Sequence, residues 1–360
     1  MKEIYASNII SLYHIAGLKA FINEISTGSD VKGEVMLSKA HWEEPLLSKK
    51  DLAFIGGNIS VVLAEPEFSL GSLCIAWVLL LFHSSSNTSC YIVSHSRVNL
   101  KLIAYLFKNG KIGWKTSFAV VVFDEGIGSY GGFFYRFEAY LRESKHGWWH
   151  RLLYLAIYPV NQIILRAHYV VDYNWQLIKH VGRDGCEENY QAIAGYCKYF
   201  KSISNTPKDG RLNKVFLITQ PLVDLGLIDN ESYLSGLRRL VNEVNRRGCH
   251  LYIKPHSSEN SSYYESLDAK IIASNLPVES LIVEFEPALI VGLSSTALIN
   301  SRLIMGVQSY SIISLFENSK GIMDLVNQDS NIKNIFKYYV REVLSWQDLG
   351  ALLDTNKSLN

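Results

Sequence analysis

Two adjacent carboxylates, Asp124 and Glu125, end an apolar run and meet glycines at once, in the order FAVVVFDEGIGSYGG (118–132). A carboxylate held at a strand end can serve as general base toward a substrate hydroxyl, a role worth ~10²–10⁴-fold in rate. The glycines offer a competing chemistry. Gly126, Gly128 and Gly131 spell G-x-G-x-x-G, the spacing of a loop whose backbone N–H groups cradle a dinucleotide pyrophosphate. That reading suffers from the two acids, which would repel the pyrophosphate, and from the bulky FFYRFEAYLRE that follows. Nor does a second strand end in an acid about 20 residues on. A plain strand-to-helix turn that happens to hold two acids is the third reading.

Two further groups lie in the second half of the chain. YIKPHSSE (252–259) places Lys254 and His256 just past an apolar run, where a histidine is either structural or catalytic. IVGLSSTALINS (290–301) puts Ser294, Ser295 and Thr296 before an apolar helical pattern. Ser294 or Ser295 reads as a helix N-cap, worth ~1 kcal/mol, and free N–H groups beside hydroxyls also suit a phosphate. An acid pair in one half, with a histidine and an anion site in the other, is equipment for a transfer reaction.

These groups need a frame that puts them at strand ends. Short apolar runs alternate with longer segments of helical period, the pattern of parallel α/β layers. Strands are expected at 52–57, 89–95, 117–123 and 167–173 in the first half. In the second they are expected at 214–220, 249–256, 269–274, 288–294 and 306–312. The polar KSISNTPKDGRLNK (201–214) reads as a linker between an N-terminal α/β domain over 1–200 and a C-terminal one over 215–360. Two such domains predict a cleft, with ligands beyond the carboxyl ends of the strands. Four places there carry polar chemistry: Asp124-Glu125-Gly126, Gln220-Pro221, Lys254-Pro255-His256 and Ser294-Ser295-Thr296.

Composition narrows the class. The 360 residues are 48% hydrophobic and 19% charged with a net charge of +1, which suits large cores and gives no nucleic-acid signature. The five scattered cysteines form no C-x-x-C pair, so buried thiols in a reducing compartment are expected rather than disulfides or a zinc site. LCIAWVLLLF (73–82) is far shorter than the ~20 residues a membrane helix needs and reads as a buried core helix. The start of the chain lacks the apolar core of a signal peptide, so a cytoplasmic protein is expected. Arg97, Lys101, Lys108, Lys111 and Lys115 occur without an intervening acid, and GWWHRLLYLAIYP follows at 147–159. Basic residues near aromatic ones suit peripheral contact with an anionic membrane face, and solvated lysines on a core helix are the plainer reading.

DEG after a strand, the Lys-x-His of YIKPHSSE and SST after a later strand together resemble the bacterial sialyltransferases that decorate lipooligosaccharide, O-antigen and capsule, the polysialyltransferases included. Their signatures are Asp/Glu-Asp/Glu-Gly, His-Pro and Ser-Ser/Thr, and here they occur in order within residues 50–315. The resemblance implies two Rossmann-like domains facing a cleft (GT-B type). It implies inverting transfer from CMP-sialic acid, without metal or resident cofactor, to a galactose-terminated glycan that is lipid-linked or part of lipopolysaccharide. It puts the general base on Asp124, with Glu125 orienting the acceptor or taking that role, and the group assisting the leaving phosphate on His256. Ser294, Ser295 and Thr296 would hold the phosphate. Gln220 in TQPL would line the pocket with Lys254, and Glu279 in LPVES would accept from the cytidine ribose. Gly126 and Gly128 would leave room for the acceptor sugar. The His-Pro signature is His256-Ser257 here, with the proline at Pro255. The absence of an Asp-x-Asp triplet agrees with a metal-free mechanism. The alternatives are a transferase for another nucleotide sugar such as CMP-Kdo, an NAD(P)-binding oxidoreductase using the glycines, and a non-catalytic component of glycan assembly.

Overall fold

Lys2–Ala6 forms the first strand (β1), although only Ile4, Tyr5 and Ala6 of it are buried. The computed structural model describes residues 1–7, 9, 11–26, 30–37, 58–63, 70–86, 88–95, 99–124, 130–131, 171–182, 185–204, 213–256, 259, 261–274 and 276–358. After β1 come α1 (Leu12–Ile25), β2 (Val31–Leu37), β3 (Ile59–Leu63) and α2 (Leu70–Phe82). Then follow β4 (Cys90–His95), α3 (Leu100–Lys108), β5 (Ala119–Phe123) and β6 (Tyr173–Trp175). These strands form one sheet in the order β3-β2-β1-β4-β5-β6, parallel throughout. β1 is therefore central, and its backbone is approached closely by β2. A Cβ on Gly33 would sit 1.8 Å from the Ile4 carbonyl oxygen, so no larger residue fits that register.

A short two-stranded ribbon, β7 (Ile178–Val181) and β8 (Cys186–Glu188), precedes the helix α4 (Tyr190–Ile203). The second sheet then begins with β9 (Lys214–Ile218), α5 (Asn230–Arg246), β10 (His250–Lys254), β11 (Lys270–Ile271) and α6 (Val278–Phe285). It continues with β12 (Leu289–Gly292), α7 (Thr296–Met305), β13 (Ser309–Ser311), α8 (Lys320–Asn327), α9 (Ser330–Tyr339), β14 (Arg341–Glu342) and α10 (Trp346–Ser358). Its order is β11-β10-β9-β12-β13-β14, again all parallel. The core of this unit is built by Val215, Leu217, Leu251, Ile253, Leu289 and Val291 from the sheet, packed with Tyr233, Leu237 and Leu240 of α5. The chain divides into two compact units: Met1–Ser129, Glu143–Lys179 and Glu188–Tyr199 make one, and Tyr130–Arg142, His180–Glu187 and Phe200–Asn360 the other.

Counted within its own unit, each sheet has the order 3-2-1-4-5-6 of the doubly wound mononucleotide fold. In such sheets the direction of winding reverses at a crevice beside the first strand. That switch point lies between β1 and β4 in one unit and between β9 and β12 in the other. The expected pair of Rossmann-like parallel sheets is thus what the chain forms. The topology also removes the support for a dinucleotide loop in the glycines. The pyrophosphate loop of this fold follows the first strand, whereas Gly126 and Gly128 come after the fifth, and β1 is followed by SNIISL with no glycine.

Other expectations need correction. The apolar 73–82 segment is helical as expected but not wholly buried: Ala76, Leu79 and Leu80 are buried, while Cys74, Leu81 and Phe82 are exposed. A helix laid on a sheet covers one face, however apolar its sequence. Of the five cysteines, none of them in a disulfide, Cys90 and Cys249 are buried, Cys186 and Cys197 partly so, and Cys74 is exposed. In the linker stretch, Lys201–Ile203 close α4 and Lys214 opens β9, while 205–212 lie outside the described residues. So do the strand expected at 52–57 and the aromatic segment 147–159. Among the described residues no helix is long and apolar enough to cross a membrane.

Candidate active site

Asp124 directly follows β5 and is 1% exposed. Its Oδ2 accepts from the Leu177 N–H at 3.1 Å, which anchors the carboxylate to the segment after β6. Glu125, Gly126 and Gly128 lie outside the described residues. Around the same carboxyl edge stand buried polar groups that no motif announced. Ser7 follows β1, Ser94 belongs to β4, and His14 of α1 meets the Phe123 ring edge-on at 5.8 Å. Asn99 caps α3 by accepting from the Lys101 and Leu102 N–H groups, and its Nδ2 donates to Ser7 Oγ at 2.9 Å. That bond closes the switch point of the first sheet. Asn before an apolar helical stretch signals a cap, but its partner 92 residues back in the chain is a tertiary matter.

In the second unit the chemistry gathers at the exit of β9. Thr219 and Gln220 follow that strand directly, and each faces a different neighbour. Gln220 Oε1 accepts from Ser294 N at 3.2 Å and from Ser294 Oγ at 2.8 Å, which closes the second switch point. Thr219 Oγ1 accepts from His256 N at 3.2 Å. Two consecutive residues just past the central strand thus join the segments after β10 and β12. The two serines also separate in role: Ser295 is the N-cap of α7, its Oγ accepting from Ala297 N at 3.3 Å, while Ser294 is tied to Gln220. Thr296 is the first residue of that helix, so all three hydroxyls stand at a helix N-terminus whose dipole favours an anion. Gly292 ends β12 where a Cβ would sit 2.9 Å from the Ile218 carbonyl oxygen, which keeps the two strands close.

Lys254 ends β10 and turns its ammonium onto backbone, donating to Ser274 O at 2.7 Å and to Pro255 O at 3.2 Å. Burial lowers its pKa. His256 stays accessible at the surface, yet the surrounding protein first and the Lys254 charge second hold its imidazole below its ordinary value of 6.5. It is therefore largely neutral at pH 7 in the free protein. Sequence reasoning missed Glu259, whose carboxylate accepts from His256 N at 3.2 Å and also from the hydroxyls of Thr219 and Tyr264. An acid three residues after the histidine was the available signal.

Glu279 occupies the first turn of α6, is 4% exposed and accepts from Asn300 Nδ2 of α7 at 2.9 Å. Burial raises its pKa above 4.5, against its own N–H and Asn300. A raised carboxyl contributes stability that is complete below 4.5 and is lost as pH rises through the folded value. Glu279→Gln keeps an oxygen for Asn300 and removes that loss. Its melting temperature should exceed the native protein's at pH 8 and match it near pH 4, in thermal scans across that range. A native protein at least as stable at pH 8 as the variant would contradict the assignment.

The described positions thus bring Gln220, Lys254, His256, Ser294, Ser295 and Thr296 to one sheet's carboxyl edge. Glu279 lies under it, on the helix pair α6–α7, and Asp124 belongs to the other unit.

Comparisons with known proteins complete the picture. No curated protein sequence matches the chain. Among solved structures, an α/β-galactoside α-2,3-sialyltransferase from Photobacterium phosphoreum is 14% identical. It aligns over 96% of this chain and 98% of its own with a TM-score of 0.44. UDP-GlcNAc 2-epimerase from Methanocaldococcus jannaschii is 12% identical over 99% and 93%, with a TM-score of 0.48. The glycotransferase of kitacinnamycin is 11% identical over 99% and 90%, with a TM-score of 0.49. The family model described as alpha-2,8-polysialyltransferase (POLYST) matches residues 88–314, well over half of the chain. The stretch runs from β4 to the far side of β13 and takes in the Asp124, His256 and Ser294–Thr296 motifs. The chain belongs to the alpha-2,8-polysialyltransferase family and is a sialyltransferase-type glycosyltransferase.

Proposed function

We propose that this protein transfers sialic acid from CMP-sialic acid to a galactose- or sialic-acid-terminated bacterial surface glycan, with inversion and without a metal ion. The observation that carries the reading is the pairing at the exit of β9: Thr219 holds the His256 loop and Gln220 holds Ser294. A donor phosphate placed at the α7 N-terminus would then meet the Ser295 and Thr296 hydroxyls and the imidazole, and the Ser294 hydroxyl once its proton turns from Gln220. Asp124 takes the proton of the acceptor hydroxyl as its oxygen bonds to the anomeric carbon. The bond from that carbon to the CMP phosphate oxygen breaks, and its electron pair leaves with CMP. Attack opposite the leaving group turns a β-linked donor into an α-sialoside. His256 donates a hydrogen bond or a proton to the departing phosphate. Lys254 adds positive potential beside it, and Glu279 serves the cytidine ribose, so Glu279→Gln should also raise the donor KM.

The acceptor in this reading is lipid-linked or lipopolysaccharide glycan, and the enzyme works in the cytoplasm against an anionic membrane face. Exposed Lys101, Lys108 and Lys115 and the exposed Trp114 support that placement, and Lys111, also exposed, pairs with Glu34 at 3.0 Å. The test is incubation with CMP-sialic acid and a small panel of β-galactoside and sialoside acceptors in EDTA, following CMP release and product mass. CMP release with a product heavier by one or more sialic acids is expected. No turnover with any acceptor would remove the reading. A thermal-shift panel separates the donor class, because the true nucleotide stabilises the folded state by mass action. CMP should raise the melting temperature and UDP and GDP should not.

A further inference from the structure

We propose that Glu259 is a positioning residue for this transfer, fastening the turn that carries His256 to the exit of β9 so that the imidazole is held at the carboxyl edge of the second sheet. The inference rests on the donor-side role given above to His256. The Glu259 N–H already donates to His256 O at 3.0 Å, a backbone link that does not involve the side chain. The carboxylate instead works outward. One oxygen accepts from the Thr219 hydroxyl and from the His256 N–H, the other from the Tyr264 hydroxyl. Thr219 has a single hydroxyl proton. Giving it to Glu259 leaves a lone pair of the same oxygen to accept the His256 N–H at 3.2 Å. His256 N–H is thus shared between two oxygens that hold each other.

The other side of the strap reaches the core. Tyr264 ends a short 3-10 turn, Ser261–Tyr264, and its hydroxyl lies 3.1 Å from that of Tyr233 in α5. Both rings are fully buried members of the second unit's core. A path of hydrogen bonds therefore runs from the core through Tyr264 and Glu259 to Thr219 and His256. Thr219 precedes Gln220, which holds Ser294, so the same strand exit sets histidine and serine together. Burial works against a carboxylate here and raises the Glu259 pKa, while Thr219, Tyr264 and the His256 N–H pull it back. A fold needing only stability would be served as well by an uncharged side chain at this place. What the acid adds is a hold on the His256 backbone N–H, the point from which the imidazole is placed.

The 360-residue chain is tested as Glu259→Gln, Glu259→Ala, Tyr264→Phe, His256→Ala and the double variant Glu259→Gln/His256→Ala. Glu259→Gln should lower kcat for CMP release by about 10- to 100-fold, the size of a coupling within one hydrogen-bond network. Tyr264→Phe should fall in the same direction by less. In the His256→Ala background the Glu259→Gln change should cost under about 3-fold, because the group it positions is gone. Losses that multiply, or a Glu259→Gln enzyme at the native rate, overturn the proposal. Amide hydrogen exchange gives a readout free of the reaction. The His256 amide should exchange at least about 10-fold faster in Glu259→Ala, which removes the acceptor that glutamine would keep, while β10 amides keep their protection. Unchanged exchange at His256 overturns the proposal whatever the substrate is. A native protein inert toward CMP-sialic acid alongside faster exchange would instead sink the assigned reaction and leave the strap in place.

Discussion

Asp124→Asn is expected to lower kcat for sialyl transfer by ~10²–10⁴-fold, the contribution of one positioned general base. The substitution is chosen because the fold should survive it. The Leu177 N–H that now donates to Oδ2 at 3.1 Å still finds an oxygen on the amide. Asp124→Ala is the harsher change, since it withdraws that acceptor from a buried N–H and costs about 1–3 kcal/mol. Kinetics of CMP release with an acceptor present, together with melting temperatures of both variants, separate the two effects. The asparagine variant should be nearly as stable as the native protein and nearly inactive. Native rates in it would move the base elsewhere, and the adjacent Glu125→Gln variant then becomes the decisive comparison. Retained glycan assembly in cells carrying Asp124→Asn would favour a non-catalytic part in assembly over the transfer reaction.

The second large effect is at His256. His256→Ala should also reduce kcat by ~10²–10⁴-fold if the imidazole protonates the leaving phosphate. The pH profile carries the sharper test. In the free protein its surroundings and Lys254 keep the imidazole below 6.5. A donor phosphate beside it adds an opposite charge and favours the protonated form. Because kcat/KM reports the free enzyme and kcat the complex, the two profiles should differ. Donor kcat/KM should fall as pH rises through a value under 6.5, whereas kcat should fall through a higher one. Coincident inflections, or an inflection that persists in His256→Ala, would assign the titration to another group.

Much of the frame was readable from the chain. The runs at 89–95, 117–123, 214–220, 249–256, 288–294 and 306–312 contain β4, β5, β9, β10, β12 and β13. Those at 117–123, 214–220 and 288–294 are nearly continuous apolar stretches, as suits strands covered on both faces, whereas β13 is Ser309-Tyr310-Ser311 and its run is mixed. β1 and β2 escaped notice for opposite local reasons. In β1 only three residues are buried, since Lys2 donates to Ile25 O at 2.7 Å and Glu3 pairs with Lys32 at 2.8 Å. In β2 the glycine that breaks the apolar pattern is the residue that lets the backbone of β1 approach. Charge and glycine lowered the local signal at the strand where the tertiary demand was highest.

Asp124, His256 and the Ser294-Ser295-Thr296 run were marked by residue type and by their place just beyond apolar runs, and their order carried the family resemblance. The sequence alone therefore determined which side chains stand at strand ends and which chemistry they are equipped for. It could not say which strand ends are neighbours. Sheet order depends on crossovers that return each strand to a position far from its place in the chain. Only the folded sheet sets β9 between β10 and β12, and with that Thr219 beside His256 and Gln220 beside Ser294. The same holds for the strap from Tyr233 through Tyr264 to Glu259, whose hydrogen bonds need partners aligned to a few tenths of an ångström. Periodicity reports which face of an element is buried, and leaves to the packing of whole elements what that face meets.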